Sequence, residues 1–173
     1  MKQARILLAM SGGVDSTVAA ALLLEAGYEC AGITMKLQRD DLACIEGAKE
    51  ACAALGIPHF VIDAREEFRI KVIEPFVRAY AAGQTPNPCI ACNQHLKFTL
   101  LLNRAAEEGY DYLATGHYAR IEEGRLLKAV DARKDQSYVL WPIRAQHLRR
   151  ILFPLGGMTK AEARAIAAGL GLP

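Results

Sequence analysis

Two short segments of the sequence carry residues whose types and spacing could do chemistry. The first, Ser11–Ser16 (SGGVDS), follows an apolar run and combines adjacent glycines with two hydroxyl donors. Glycines let a backbone approach a phosphate closely, and the free N–H groups at the start of a following helix favour an anion. Asp15 would repel a phosphate unless it caps the helix or contacts a magnesium ion. The segment therefore predicts a phosphate-binding loop, although it lacks the lysine of the G-x-x-x-x-G-K-S/T type.

The second segment is Thr85–Asn93 (TPNPCIACN), in which two prolines stiffen a polar loop around two cysteines. Cys89 and Cys92 form C-x-x-C, a spacing suited to redox exchange, a mixed disulfide or two ligands of a metal cluster. We expect Asn93 to cap the next helix, so that Cys92 lies at a helix N-terminus. The helix dipole, aided by Lys97, would then lower the thiol pKa.

Alternating strands and helices must position these two segments. The apolar pattern predicts four strands and four helices: strands 5–10, 29–35, 59–63 and 112–115, and helices 15–26, 46–55, 65–82 and 93–108. Pro75 should kink or divide the third helix. The alternation predicts an α/β fold, a doubly wound parallel sheet with helices on both faces, of the Rossmann-like type. Ligands of such sheets bind beyond the carboxyl ends of the strands, in the loops after Met10, Met35, Asp63 and Thr115.

After Gly116 both the pattern and the charge change. Two short runs around Glu123-Gly124 predict a β-hairpin, and Thr159–Glu162 is a capping box opening a helix to about Ala168. Residues 1–119 carry 11 basic and 14 acidic side chains, whereas residues 120–173 carry 10 and 5. The last third could therefore face phosphates, although an ordinary solvated surface explains the charge equally well.

The composition excludes disorder and a membrane span. The 173 residues, at roughly 150 per domain, are 52% hydrophobic and 23% charged, enough for a buried core. No apolar run reaches the roughly 18 to 20 residues that cross a bilayer, and no signal segment precedes the first strand. We expect a cytoplasmic protein whose five cysteines are thiols, redox groups or metal ligands rather than disulfides.

Five ordered motifs give the sequence a family resemblance. The first resembles the S-G-G-x-D-S motif of the PP-loop ATP pyrophosphatases, and the whole set resembles the tRNA-specific 2-thiouridylases. The motifs are Ser11–Ser16, Thr85–Phe98, Ala114–Tyr118, Lys134–Tyr138 and Leu152–Gly156. The resemblance implies an adenine nucleotide alpha hydrolase-like fold. It implies a PP-loop ATP-binding catalytic domain over residues 1–118 and a hairpin and helical extension over residues 119–173.

The resemblance also implies a reaction and its residues. ATP adenylates the C2 oxygen of the wobble uridine of tRNA, and sulfur replaces that oxygen with release of AMP. ATP and Mg²⁺ are the implied cofactors, and tRNA and a sulfur-donor protein are the implied partners. The implied catalytic residues are Cys92, as nucleophile, with Cys89 and Asp15. The residues implied to contact ATP are Ala9, Met10, Ser11, Gly12, Gly13, Val14, Asp15, Ser16, Met35 and Gly116. The residues implied to contact tRNA are Asn87, Pro88, Cys89, Lys134, Asp135 and Gln136.

Two departures from the family pattern leave alternatives open. Many members have Asp where this chain has Cys89, and the family's persulfide-carrying cysteine lies C-terminal to Pro173. We therefore expect either an excised catalytic domain or a shortened relative with another sulfur path. Cys89 and Cys92 could instead hold a [4Fe-4S] cluster, with the downstream cysteine or Cys44 as third ligand.

Other functions and roles also stay open. The chain could be a PP-loop ATP pyrophosphatase that activates a different acceptor in sulfur metabolism, or a non-enzymatic module that binds nucleotide or a cluster. His117 could be a general base or a structural histidine. Tyr138 and Trp141 could stack on a base, but core packing is the expected role. Cys30 and Cys52 are expected to be simply buried.

Overall fold

A computed structural model describes residues 3–38 and 40–171. Its strands, in chain order, are β1 (Arg5–Ala9), β2 (Glu29–Lys36), β3 (His59–Asp63), β4 (Tyr112–Thr115), β5 (Ala119–Glu122), β6 (Arg125–Lys128) and β7 (Ile151–Leu152). Five of them form one parallel sheet in the order β3-β2-β1-β4-β7, and β5 pairs with β6 as a separate antiparallel hairpin. The predicted parallel sheet and hairpin are confirmed.

The helices of the described ranges connect these strands. They are α1 (Val14–Glu25), α2 (Leu42–Ala54), α3 (Arg65–Phe68), α4 (Glu74–Ala81), α5 (Pro88–Cys92), α6 (Leu102–Glu107), α7 (Ala145–Leu148) and α8 (Lys160–Gly169). The π-helical segment Arg69–Ile73 joins α3 to α4, and the π-helical segment Asn93–Leu101 joins α5 to α6. A short 3-10 turn covers Ser137–Val139. Among the residues described, no helix has the length and apolar character needed to cross a membrane.

Strand β1 is the centre of the sheet and the point where the strand order reverses. Ile6 of β1 pairs with Cys30 of β2 on one side and with Tyr112 of β4 on the other. The chain therefore winds outward through β2 and β3 in one direction and through β4 and β7 in the other. The carboxyl ends of β1 and β4 consequently open at a topological switch point, the usual ligand position in such sheets.

Two apolar layers cover the sheet. Successive side chains of a strand point to opposite faces, and β1 accordingly divides its side chains between two cores. Ile6 and Leu8 pack with α1, α2 and α8, where Ala163 is fully buried. Leu7 packs on the other face with Phe98 of the π-helical segment Asn93–Leu101 and with Leu102 of α6. Helices thus lie on both faces, as the alternation predicted.

Several predicted helices have different boundaries, and some short elements were not predicted; the predicted helix 46–55, for example, begins at Leu42. The predicted helix 65–82 is divided into α3 and α4 by a π-helical segment that ends just before Pro75, which has no N–H to donate to the preceding turn. The predicted helix 93–108 begins earlier, at Pro88. The two-residue strand β7 and the short helix α7 were too brief for a periodic signal.

Candidate active site

A cleft of about 490 Å³ opens at the carboxyl ends of β1, β2 and β4. Seven of the ten residues predicted to contact ATP line it: Ala9, Met10, Ser11, Asp15, Ser16, Met35 and Gly116. Of the others, Gly12 and Gly13 belong to the loop between β1 and α1, and Val14 is the first residue of α1. The structure therefore brings the predicted nucleotide residues together at the switch point, while their contact with ATP stays a prediction.

The loop before α1 is arranged around the Ser16 hydroxyl. Ser16 Oγ donates to the Gly13 carbonyl oxygen at 3.0 Å and accepts from the Ser11 backbone N–H at 3.2 Å. Ser11 Oγ lies 3.3 Å from Ser16 Oγ. Gly13 is the N-cap of α1, and no side chain of the described ranges caps it. The N–H groups of the first turn thus remain available to an anion.

Two glycines let backbones meet at this loop. Gly12 has a φ of +74°, and a Cβ atom there would lie 2.6 Å from the Cys44 carbonyl oxygen. A Cβ atom at Gly116 would lie 2.9 Å from the carbonyl carbon of Asp15 and the amide nitrogen of Ser16. Contacts this short are excluded for a real side chain. The loop after β1 therefore touches α2, and the loop after β4 touches the first turn of α1, which fixes the floor of the cleft.

Asp15 has two partners from distant parts of the chain. Its Oδ1 accepts from the Tyr118 hydroxyl at 2.8 Å and from Lys160 Nζ at 2.6 Å. Burial, followed by the hydrogen bond to Asp15, raises the pKa of Tyr118. Asp15 does not cap α1, so that alternative is wrong. The sequence analysis missed Lys160, whose only signal was its place at the first position of the α8 capping box.

Asp15 also fits a magnesium site better than the other acid on the cleft wall. Mg²⁺ binds through one or two carboxylates together with substrate phosphates. Asp41 lines the cleft, but its Oδ2 already accepts from the backbone N–H groups of Leu37 and Gln38, at 2.6 and 2.7 Å. Asp15 Oδ1 also has two donors, but both come from side chains, and Asp15 lies beside the loop that would hold phosphate, so it is the acid that could take Mg²⁺ with a nucleotide.

The cysteine segment begins a helix earlier than the sequence predicted. Asn87 Oδ1 accepts from the Cys89 backbone N–H at 3.0 Å, so Asn87 rather than Asn93 is the N-cap. Asn93 instead lies inside the helix, buried, and its Nδ2 donates to the Val139 carbonyl oxygen at 3.3 Å. Cys89 is exposed in the first turn, whereas Cys92 is half-buried one turn further on.

The expected low pKa of Cys92 is wrong. Burial raises it, because the thiolate loses solvation, and a negative charge on Cys89 would raise it further. Lys97 acts in the opposite direction and lowers the pKa of Cys92, but by less than burial raises it. Lys97 also lines the cleft, where burial lowers its own pKa. It thus links the cysteine helix to the nucleotide cleft.

The surroundings of His117 favour the structural role. Its Nδ1 lies 2.6 Å from Thr115 Oγ1, and its Nε2 lies 3.4 Å from Lys97 Nζ. Phe98 and Phe153 pack against the ring. Burial, followed by repulsion from Lys97, lowers the pKa of His117 to about 3. An imidazole with so low a pKa is a weak base near neutral pH.

The residues present do not complete a metal-cluster site. The described ranges contain no group of three or more His, Cys, Asp or Glu side chains that could hold a metal ion. Cys89 and Cys92 supply two thiols, but the proposed third ligand, Cys44, lines the nucleotide cleft. The [4Fe-4S] interpretation therefore has no support from the described part of the chain.

The remaining cysteines behave as the sequence predicted. Cys30 and Cys52 are buried, and burial raises the pKa of each thiol to about 11. All five cysteines of the chain lie within the described ranges, and each is a free thiol.

The predicted tRNA segment 134–136 borders the same cleft. Lys134 and Gln136 line it, and Gln136 Oε1 accepts from the Tyr118 backbone N–H at 2.9 Å. Asp135 instead accepts from the Ala129 backbone N–H and the Ser137 hydroxyl, at 2.8 and 2.7 Å, so it organises the turn.

Two aromatic side chains in this region are placed differently from the expectation. Tyr138 is 63% exposed and Trp141 68% exposed, so the expected core packing is wrong. Both aromatic faces are accessible from solvent, in the part of the chain that carries the excess of basic residues.

A parallel sheet with a glycine-serine loop at its switch point and cationic side chains around the cleft defines a Rossmann-like α/β protein with a candidate nucleotide site. Residues 4–173 match the family described as tRNA methyl transferase HUP domain, and the chain belongs to that family. The protein described as tRNA-specific 2-thiouridylase MnmA of Chloroflexus aurantiacus is 51% identical over 186 residues, covering 98% of this chain and 52% of that protein. The predicted resemblance is confirmed. The chain spans about half the length of the curated relatives it matches.

Two solved structures share the fold. A predicted subunit of tRNA methyltransferase from Methanocaldococcus jannaschii aligns with a TM-score of 0.62 and 22% identity, covering 95% of this chain and 74% of that one. The NH3-dependent NAD synthetase of Campylobacter jejuni aligns with a TM-score of 0.60 and 18% identity, covering 99% of this chain and 66% of that one.

Proposed function

We propose that this chain is the ATP-binding catalytic part of an enzyme that converts the wobble uridine of tRNA to 2-thiouridine. The observation that carries the proposal is a shared side chain. Lys97 lines the nucleotide cleft and follows Cys92 by five positions in the same helical run, which supports a connection between the cysteine segment and the cleft. The named activity of the 2-thiouridylase relatives supports the same reading.

The proposed reaction has two steps. In the first, the C2 oxygen of uridine attacks the α-phosphorus of ATP, the bond between the α- and β-phosphates breaks, and pyrophosphate leaves. In the second, the terminal sulfur of a persulfide attacks C2, and the C2–O bond breaks with AMP as the leaving group. A second thiol completes this transfer by attacking the inner sulfur, so that the S–S bond breaks, one sulfur stays on C2, and the disulfide formed is reduced by an external thiol. The first step converts the C2 oxygen, a poor leaving group, into part of AMP, a good one. The second step needs a sulfur nucleophile beside the base.

The loop Ser11–Ser16 would hold the phosphates through its hydroxyls and the free N–H groups of α1. Gly116 and Met35 would lie against the nucleoside. Asp15 would hold Mg²⁺ together with the phosphates, and the ion would neutralise part of their charge. AMP and pyrophosphate are the proposed products.

Cys92 is the proposed nucleophile that receives or delivers sulfur. Because burial raises its pKa, it needs a nearby positive charge to form a thiolate, and Lys97 supplies one. Asn87, Pro88 and the exposed Cys89 would meet the target base at the start of α5. A persulfide-carrying donor protein is the proposed source of sulfur.

Residues 119–173 are proposed to extend the catalytic domain 1–118 toward tRNA. Their side chains Lys134 and Gln136 reach the cleft, which supports a role in holding the substrate there. Asp135 would act by shaping that turn. Free thiols at all five cysteines, within the described ranges, fit a reducing compartment, so the cytoplasm is the proposed location.

The test is pyrophosphate release from ATP with a tRNA that carries uridine at the wobble position. The matched control is the same tRNA with cytidine there. We expect release with the first substrate only, because C2 activation depends on the base in the cleft. A Cys92→Ser variant should still release pyrophosphate but form no 2-thiouridine when a persulfide-carrying donor protein is supplied, because the thiol that takes part in sulfur transfer is missing. Pyrophosphate release that does not depend on tRNA but increases with a small-molecule acceptor would support the alternative function in sulfur metabolism.

A further inference from the structure

The cleft contains a cation that has no part in the predicted chemistry. The loop Ser11–Ser16 has no lysine of its own, although a phosphate chain needs positive charge. Lys160 lies 145 positions after Asp15 in the sequence, yet its Nζ is 2.6 Å from Asp15 Oδ1. Its side chain is only 21% exposed and lines the cleft together with Ser11 and Ser16.

The backbone around Lys160 fixes its direction. The Thr159 hydroxyl and the Glu162 carboxylate form a reciprocal capping box at the start of α8. The Lys160 backbone N–H donates to Asp131 Oδ2 at 3.0 Å, which ties the helix start to a second segment. Ala163 and Ala167 then pack α8 into the core shared with α1. The capping box, the hydrogen bond to Asp131 and the packing of α8 against α1 therefore together hold the side chain of Lys160 at the glycine loop.

The ion pair alone is a weak reason for this arrangement. A partly exposed lysine–carboxylate pair contributes little to folding stability. Asp15 also has a second donor, the Tyr118 hydroxyl at 2.8 Å, so it does not depend on Lys160 for a partner. Among the cleft residues that the structure describes, removing Lys160 would leave Lys97 and Lys134 against Asp15 and Asp41 as the charged groups. That balance is neutral, and a neutral cleft binds a phosphate chain poorly.

We propose that Lys160 is the cation that binds the phosphate chain of ATP beyond the α-phosphate. The inference rests on the proposed use of ATP at this cleft. Asp15 holds the Lys160 ammonium beside the loop that takes the pyrophosphate part of the nucleotide. When Asp15 turns to Mg²⁺, the ammonium donates instead to a non-bridging phosphate oxygen. Lys160 thereby performs from α8 the task that the loop lysine performs in G-x-x-x-x-G-K-S/T proteins.

The experiment compares dissociation constants for ATP and AMP, measured with Mg²⁺ on the 173-residue chain. A Lys160→Gln variant should bind ATP about tenfold more weakly, the scale of one charge-assisted hydrogen bond. AMP has no phosphate beyond the α-position, so its affinity should change by less than about twofold on the same reasoning. Lys160→Arg keeps the charge and should recover most of the ATP affinity.

Two controls separate ligand binding from a structural role. Lys128→Gln removes an equal charge from the exposed hairpin strand β6 and should leave both affinities unchanged. Thr159→Ala removes the α8 cap and should lower the melting temperature without changing the ratio of ATP to AMP affinity. A Lys160→Gln variant that loses ATP and AMP equally, or loses neither, would overturn the proposal.

A measurement on the unmodified chain covers the case in which a variant does not fold. Lysine acetylation followed by mass spectrometry should show Lys160 protected by ATP and not by AMP, with Lys128 unprotected by either. Equal labelling of Lys160 with and without ATP would refute its role. A chain that binds no ATP at all would refute the proposed function itself, which is a distinct result.

Discussion

Gly156 offers the sharpest test of how the segment after β7 packs against the hairpin strand β5, because the next residue is a matched control. A Cβ atom at Gly156 would lie 1.8 Å from the carbonyl oxygen of Ala119 and 2.6 Å from its carbonyl carbon. At Gly157 a Cβ atom would meet nothing within 4 Å. The change Gly156→Ala therefore inserts a methyl group into a backbone contact, and Gly157→Ala inserts the same group into open space.

The expected loss follows from that distance. An ordinary contact of 3.4 Å requires the two backbones to separate by about 1.6 Å from the 1.8 Å approach. Such a shift breaks the hydrogen bond from the Val130 N–H to the Gly156 carbonyl oxygen, now 3.0 Å. Overpacking at its upper range and one lost hydrogen bond together lower the free energy of unfolding by about 3 to 4 kcal/mol. Gly157→Ala should stay within about 0.5 kcal/mol of the parent chain.

Urea unfolding followed by circular dichroism measures both variants. For a chain of this size, the Gly156→Ala loss corresponds to a melting temperature lower by about 6 to 16 °C. Equal stability of the two alanine variants would refute the reasoning, because it would mean that the segment moves away from Ala119 without penalty.

Two further predictions concern titrating groups. His117 has an ordinary pKa of 6.5 and a folded pKa of about 3, so the unfolded chain binds an extra proton between those values. The free energy of unfolding should therefore fall as the pH drops below about 6.5. Urea unfolding should show a shallower dependence on pH for His117→Gln. An NMR titration that places the pKa of His117 near 6.5 would contradict this prediction. Cys92 should react with iodoacetamide more slowly than the exposed Cys89, and faster as the pH rises, because burial raises its pKa. Mass spectrometry of the labelled peptide measures both rates. The variant Lys97→Met should slow the labelling of Cys92 further, because Lys97 lowers the pKa of that thiol. Faster labelling of Cys92 than of Cys89 would exclude the burial argument.

The strands were predictable because their signal is local. The boundaries of β3 and β4 agree with the prediction, since each is a short apolar run between polar or glycine residues. The hairpin turn was equally readable: Glu123 and Gly124 have positive φ values of 50° and 74°, as a type I′ turn requires. The predicted ATP residues also lie together, because the sheet rule alone places them at one edge.

The errors arose where a property depends on distant residues. The start of α5 was misplaced because Asn87 and Asn93 are equally good caps, and only the fold shows which one has a free N–H to satisfy. The wrong prediction for the pKa of Cys92 followed from that misplaced helix start and from the burial of the thiol, which residue spacing does not reveal. Trp141 was expected in the core because of its type, yet it is exposed. Lys160 had no local signal, since its partner is 145 residues away.

The partners of Asp15 also set the order in which this molecule can be assembled. Tyr118 lies 103 positions after Asp15, and Lys160 lies 145 positions after it. Contacts across such separations require large loops to close, which makes them slow and late during folding. A nascent chain that has emerged only as far as Tyr118 possesses the glycine loop and most of the sheet, but its carboxylate is still without the lysine. During synthesis, the pair between Asp15 and Lys160 can therefore form only after residue 160 has been made.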